Sequence, residues 1–264
     1  MMRYYVYILS ILISAVAFGQ SGVQNPIAVH APWGLPVDSD KSDDKFIQRR
    51  QYILSYNHLL NVPNWVAWQL NATWYGDVPR RSGKFIADTS LPSSFQIINH
   101  DDYTKSGYDR GHMVRSEERT ATEEDNRSTF LMSNILPQTP KLNQQTWLSL
   151  EYECERLCKT EGKELYVIAG GVFSKQPLRL NGKVAVPDSC WKIVVILDKG
   201  QKPKDLSSST KVIAVMMNNG QYDKSNNSWE LYKTTINAIE KSTGYDFVKD
   251  LPDALEEQIE SKIR

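Results

Sequence analysis

Four consecutive residues, Asp109-Arg110-Gly111-His112, set an imidazole two positions from a guanidinium and three from a carboxylate. Histidine is the side chain best matched to taking a proton near neutral pH, and it gives roughly 10²–10⁴ in rate when placed against a nucleophile. Arginine adds a planar, permanently charged fork that suits phosphate. Downstream come Ser133-Asn134-Ile135-Leu136-Pro137-Gln138, then Leu142-Asn143-Gln144, Trp147 and Leu150-Glu151. An amide and a carboxylate, Asn143 and Glu151, thus follow the candidate base and fork. Taken singly each residue has an ordinary explanation: a satisfied histidine, a helix N-cap asparagine, a solvated glutamate. The remaining histidines, His30, His58 and His100, stand in no comparable company and read as structural.

Position decides whether these groups can cooperate. Residues 144–159 carry Trp147, Leu150, Cys154, Leu157 and Cys158 at spacings of 3 and 4, which predicts a helix with one apolar stripe and Asn143 at its N-cap. At 100° per residue Asn143 and Glu151 fall about 80° apart, with Glu151 at the stripe's edge, so both can address one site beside that helix. Residues 53–74 are densely apolar and predict a buried strand bounded by Pro63 and Gly76, whereas 80–102 is polar and turn-rich. Short β-branched or apolar runs at 165–170, 191–197 and 212–217 predict three more strands. Helical spacing returns at 234–241 and 252–263. Strands and helices mix without strict alternation, so the class is α+β.

The chain has 264 residues, 31 Lys+Arg against 31 Asp+Glu, and a formal net charge of zero, which excludes attraction to polyanions by bulk charge. Between Arg110 and Arg127 four arginines are offset by Glu117, Glu118, Glu123, Glu124 and Asp125; any nucleic-acid affinity should rest on a few backbone contacts with a modest salt slope. With 41% hydrophobic residues the composition excludes disorder, and one domain over 46–264 is the simplest packing. A single positive charge at Arg3 precedes an uncharged apolar run over 4–18, too short to span a bilayer. We expect a signal peptide over 1–19, an extended lead-in over 20–45, no stable membrane insertion, and export to the periplasm or beyond. Cys154, Cys158 and Cys190 are badly spaced for zinc and allow at most one disulfide; a bridge to Cys190 would constrain the fold more than one between Cys154 and Cys158, and the sequence does not choose.

The ordered set from Asp109 to Glu151 resembles the signature of the DNA/RNA non-specific endonucleases, the ββα-metal or His-Me finger nucleases, among them secreted bacterial nucleases and mitochondrial endonuclease G. The resemblance extends to Ser55-Tyr56-Asn57 with Pro63-Asn64-Trp65-Val66-Ala67, to 85–92 with Asp88, and to Thr243-Gly244-Tyr245-Asp246-Phe247 through Leu251-Pro252. It implies a mixed or antiparallel sheet core with flanking helices and a ββα-metal finger. It further implies His112 as general base, Asn143 as direct ligand of one divalent cation, usually Mg²⁺ with Mn²⁺ as an alternative, and Glu151 as a carboxylate holding that cation's water. Arg110 and Arg81 match the phosphate-binding and transition-state arginines, with Arg80 adjoining Arg81 as an open alternative. Asp109 is expected to orient neighbours, Gly111 to let the backbone turn tightly, and Asn134 to shape the site by hydrogen bonding. The implied reaction is hydrolysis of DNA and RNA to 5′-phosphate ends, and dimers are common in the family. Two other readings use the same residues: a nuclease-like binding module without catalysis, and a phosphodiesterase acting on small nucleotides.

Overall fold

The computed structural model describes residues 25–220 and 227–263. The expected signal peptide over 1–19 lies outside them. Six strands form one antiparallel sheet in the order β1 (Lys45–Gln48), β2 (Ile53–Asn57), β3 (Val62–Leu70), β6 (Glu164–Val172), β9 (Ser189–Leu197), β10 (Lys211–Asn218). Two short ribbons stand apart from it: β4 (Asp109–His112) with β5 (Ile135–Gln138), and β7 (Arg179–Leu180) with β8 (Val184–Ala185). The α+β class read from the sequence holds.

Both faces of the large sheet are covered, which explains why its strands are apolar throughout. Along β9, Cys190, Val194 and Ile196 face one core, and Trp191, Ile193, Val195 and Leu197 face the other. The first core also takes Trp68 from β3, the ribbon β4–β5, and Trp147, Leu150, Cys154, Leu157 and Cys158 from α3 (Trp147–Lys159). The second takes Ile236 and Ile239 of α4 (Ile236–Thr243) and Ile259 of α5 (Asp253–Glu260). The sheet therefore separates the helix nearest the chemistry from the C-terminal pair. Among the described residues no helix is long and apolar enough to cross a membrane.

Two sequence expectations need correction. The dense run over 53–74 is two strands, not one, and Pro63 lies within β3 opposite Tyr56; a register shift between Ser55 and Tyr56 accommodates a residue that cannot donate to the ladder. The segment 20–45 is not merely an extended lead-in: from Asn25 it forms α1 (Pro26–His30), and Ala31 and Trp33 enter the second core. Both His30 ring nitrogens are engaged, one receiving the Gln69 backbone N–H at 3.0 Å and the other 2.9 Å from the Arg50 carbonyl. The three cysteines, whose pairing the sequence left open, are free and buried. Burial pushes the Cys154 and Cys190 thiols up to about 12, which makes them inert packing groups.

Candidate active site

The motif Asp109-Arg110-Gly111-His112 is strand β4, and its register with β5 pairs Asp109 with Gln138, Arg110 with Pro137, Gly111 with Leu136 and His112 with Ile135. The chain between the two strands is long, and Asn134 closes it. Asn134 Oδ1 accepts the Val114 N–H at 3.0 Å, and its Nδ2 donates to the Val114 and Thr129 carbonyls at 3.0 and 2.9 Å. One side chain thus stands in for a strand neighbour and prolongs the ribbon. Arg119, fully buried on Trp74 at 4.0 Å, ties the excursion to the sheet by donating to the Gln51, Gln69 and Glu118 carbonyls. Gly111 has a different reason from the tight turn expected of it: a Cβ there would fall 2.2 Å from Gln138 Oε1, so its absence lets the Gln138 side chain lie against the ribbon.

His112 projects between two aromatic rings, Phe85 and Phe130, each with its centroid at 5.1 Å. The ring is half-buried, but its Nε2 is shielded from solvent and has no hydrogen-bond partner. Desolvation first, then the charges of Arg80 and Arg115, drives its pKa down to about 3, so the imidazole is neutral with a free nitrogen. The 85–92 segment that supplies Phe85 is fixed by Asp88, which accepts from Arg49, Ser90 and Ser133.

Asn143 lies in a wide π-helical turn, Leu142–Thr146, that runs directly into α3. It is therefore inside the helical stretch and not at its N-cap, and the simple 100° arithmetic does not apply across the wide turn. Asn143 Nδ2 and Gln144 Nε2 donate to Asp109 Oδ2 at 2.9 and 2.8 Å. An ionised carboxylate only accepts, so the amide nitrogen must face Asp109 and the amide oxygen is turned away from it. Asp109 thereby joins the strand that carries His112 to the helix and orients Asn143.

Glu151 is buried on α3, eight residues on, and is no solvated helix glutamate. Arg115 Nε lies 3.6 Å and Lys192 Nζ 3.9 Å from its carboxylate oxygens. Desolvation nevertheless wins and raises its pKa to about 7, opposed by Lys192 and Arg115 and reinforced by Glu118 and Glu117. Arg115, by contrast, is held firmly charged, because it divides its guanidinium among Glu151, Glu117 at 3.3 Å and Glu155 at 2.9 Å. Each carboxylate receives only part of that charge.

The arginines are distributed around the histidine. Arg110 donates to the His100 carbonyl from Nε at 3.1 Å and from Nη2 at 2.6 Å, and lies over Phe85 and Tyr103. Arg80 and Arg81 both lie over Phe130, at 5.2 and 5.4 Å, on the ring that His112 meets edge-on. Arg81 turns back to the Lys84 carbonyl at 2.7 Å, whereas Arg80 bonds Ser116 and is the arginine whose charge bears most on His112. Sequence reasoning missed Arg115 and Lys192. A lysine set in the apolar run of β9 was the available signal, since a buried charge wants a partner.

The donor set fits a hard divalent cation. Asn143 presents an amide oxygen whose nitrogen is already committed, and Glu151 is a buried carboxylate with incomplete compensation; all-oxygen ligands suit Mg²⁺ or Mn²⁺.

Residues 36–254 match the DNA/RNA non-specific endonuclease family. The chain is 42% identical over 244 residues to a nuclease of Nostoc sp., covering 90% of this chain and 86% of that protein. It is 30% identical over 234 residues to mitochondrial endonuclease G of Bos taurus, covering 84% and 73%. The solved structure of an EndoG/EndoGI complex superposes with a TM-score of 0.75 at 25% identity, over 88% of this chain and 95% of that one. The chain belongs to the DNA/RNA non-specific endonuclease family.

Proposed function

We propose that this chain is an exported, divalent-metal-dependent endonuclease that hydrolyses DNA and RNA without marked sequence preference and leaves 5′-phosphate ends. The observation that carries the reading is the link from base to ligand: Asp109, three residues before the unpartnered His112 nitrogen, holds Asn143 by its amide nitrogen. Asn143 would hold one cation by its amide oxygen, and Glu151 would hold that cation's water. Bound there, the ion supplies charge neutralisation at the phosphate and a lowered pKa for water. His112, held neutral by burial and by Arg80, takes the proton of the attacking water. An incoming phosphodiester brings negative charge beside the imidazole and lifts its basicity from the low value set by burial and Arg80. Arg110, already fixed on the His100 carbonyl and Tyr103, needs little reordering to meet a phosphate, and Arg81 or Arg80 meets charge developing in the transition state. Glu151, holding the cation's water, can pass one of its protons toward the departing 3′ oxygen. Export rests on the apolar run over 4–18.

Comparing a supercoiled plasmid with a small chromogenic phosphodiester tests the substrate class. The proposal predicts rapid nicking and linearisation of the plasmid, 5′-phosphates on the fragments, and weak turnover of the small diester. Preference for the small diester would instead support the nucleotide phosphodiesterase.

A further inference from the structure

On the far side of the sheet, α4 and α5 each bury an isoleucine, Ile239 and Ile259, and in each helix the next residue is a glutamate. This pairing sets Glu240 beside Glu260. Gly244, at φ +81° in the left-handed region, ends α4 and turns the chain so that Asp246 joins them, its backbone held by a two-way bridge with Val37. Each of the three residues offers a carboxylate oxygen within 4.8 Å of the other two.

Glu260 is only 6% exposed, and its Oε1 is shielded from water with no hydrogen-bond partner. Among the described residues no lysine or arginine forms an ion pair with the three; the nearby Lys249 is engaged by Asp250 at 3.0 Å. Three carboxylates this close, one of them buried with an unpartnered oxygen, are costly unless a cation or a proton shared between Glu240 and Glu260 joins them.

We propose that Glu240, Asp246 and Glu260 form a calcium site that clasps the two C-terminal helices together, separate from the site at His112. Oxygens that share one Ca²⁺ at about 2.3–2.6 Å can lie up to about 5 Å apart, which accommodates this span, whereas Mg²⁺ requires a tighter octahedron. Glu240 already accepts the Phe247 N–H at 2.9 Å through Oε1, so the ligands are partly ordered, and the exposed Asp246 leaves a path for the ion and its waters. Without the ion, burial and the neighbouring Glu240 push the Glu260 carboxyl upward, so that a proton quiets the pair.

The test uses the full chain carrying Asn143→Ala, which removes the cation ligand of the other site. Calcium chloride is titrated by calorimetry, and thermal unfolding is followed in Ca²⁺, in Mg²⁺ and in EDTA. We expect one Ca²⁺ per chain and a folded-to-unfolded ratio that rises roughly 100-fold at a hundred times Kd. Glu260→Gln and Asp246→Asn should both lose the heat and the rise; Asp246 is exposed, so that variant folds whatever Glu260→Gln does. An unchanged rise in both variants overturns the site, and an equal rise in Mg²⁺ overturns its assignment to calcium. No heat with Ca²⁺, together with a Glu260→Gln protein more stable than its parent, would mean that the carboxylates share a proton only.

Discussion

Replacing Glu151 with glutamine should make the metal-free protein more stable in alkali while damaging its activity. In the folded chain burial raises the Glu151 pKa from 4.5 to about 7. At about 1.4 kcal/mol per pH unit, ionising Glu151 in place costs about 3 kcal/mol. The sign follows from the direction: a raised carboxyl pKa means the folded state prefers the protonated form. Its contribution is fully present below pH 4.5 and is lost as pH rises through about 7. Glutamine has no charge to desolvate and keeps the shape of the acid. His112 runs the opposite way, since its lowered pKa contributes stability above pH 6.5 that is lost toward pH 3, but it is common to both proteins and cancels. The assay is urea unfolding of wild type and Glu151→Gln in EDTA between pH 5 and 8.5. The gap between the two should move by about 2.5 kcal/mol in favour of the variant across that range, while its cleavage rate in Mg²⁺ falls. A gap independent of pH would refute the claim that Glu151 is a strained, under-compensated carboxylate.

Asn143→Ala should raise the Mg²⁺ needed for half-maximal cleavage, and Asp109→Ala should do so by roughly 10-fold or more through its 2.9 Å bond to the Asn143 amide; an unchanged metal titration in either would remove it from the site. Arg80→Ala should raise the His112 pKa in an NMR titration, because its positive charge helps to depress it, whereas Arg81→Ala should leave that titration nearly unmoved and act on kcat/KM; equal shifts would contradict the placement of the two arginines. Gly111→Ala should cost about 1–3 kcal/mol in urea unfolding, since its Cβ displaces Gln138 from the ribbon, and wild-type stability would show that the side chain has room to yield.

The fold class was legible because covered strands and amphipathic helices leave unmistakable patterns: the 165–170, 191–197 and 212–217 runs are the cores of β6, β9 and β10, and 144–159 contains α3. Pro63 misled because a bulge, invisible in sequence, lets it sit inside a strand. The lead-in misled because Trp33 buries through contacts with distant residues such as Tyr166, which local polarity does not reveal. At the site, His112, Asn143 and Glu151 were singled out because their ordered block resembles the family signature; taken singly, type and spacing left each with an ordinary explanation. The group that joins two of them, Asp109, was expected only to orient neighbours, and its partner became visible with the geometry. Arg115 and Lys192 escaped notice because their meaning comes from the burial of Glu151, a property of packing rather than of spacing. The π-helical turn at Leu142–Thr146 likewise leaves no periodic trace, yet it places Asn143.

The central claim is that one neutral histidine and one asparagine-held cation cut nucleic acid here. Its most direct test incubates wild type and His112→Ala with supercoiled plasmid and with RNA, each in Mg²⁺ and in EDTA, after circular dichroism has shown both proteins folded. The account predicts loss of both substrates by the wild type in Mg²⁺ alone, and a fall of roughly 10²–10⁴ in the variant. Cleavage that persists in EDTA, or near-normal cleavage by His112→Ala, would contradict it.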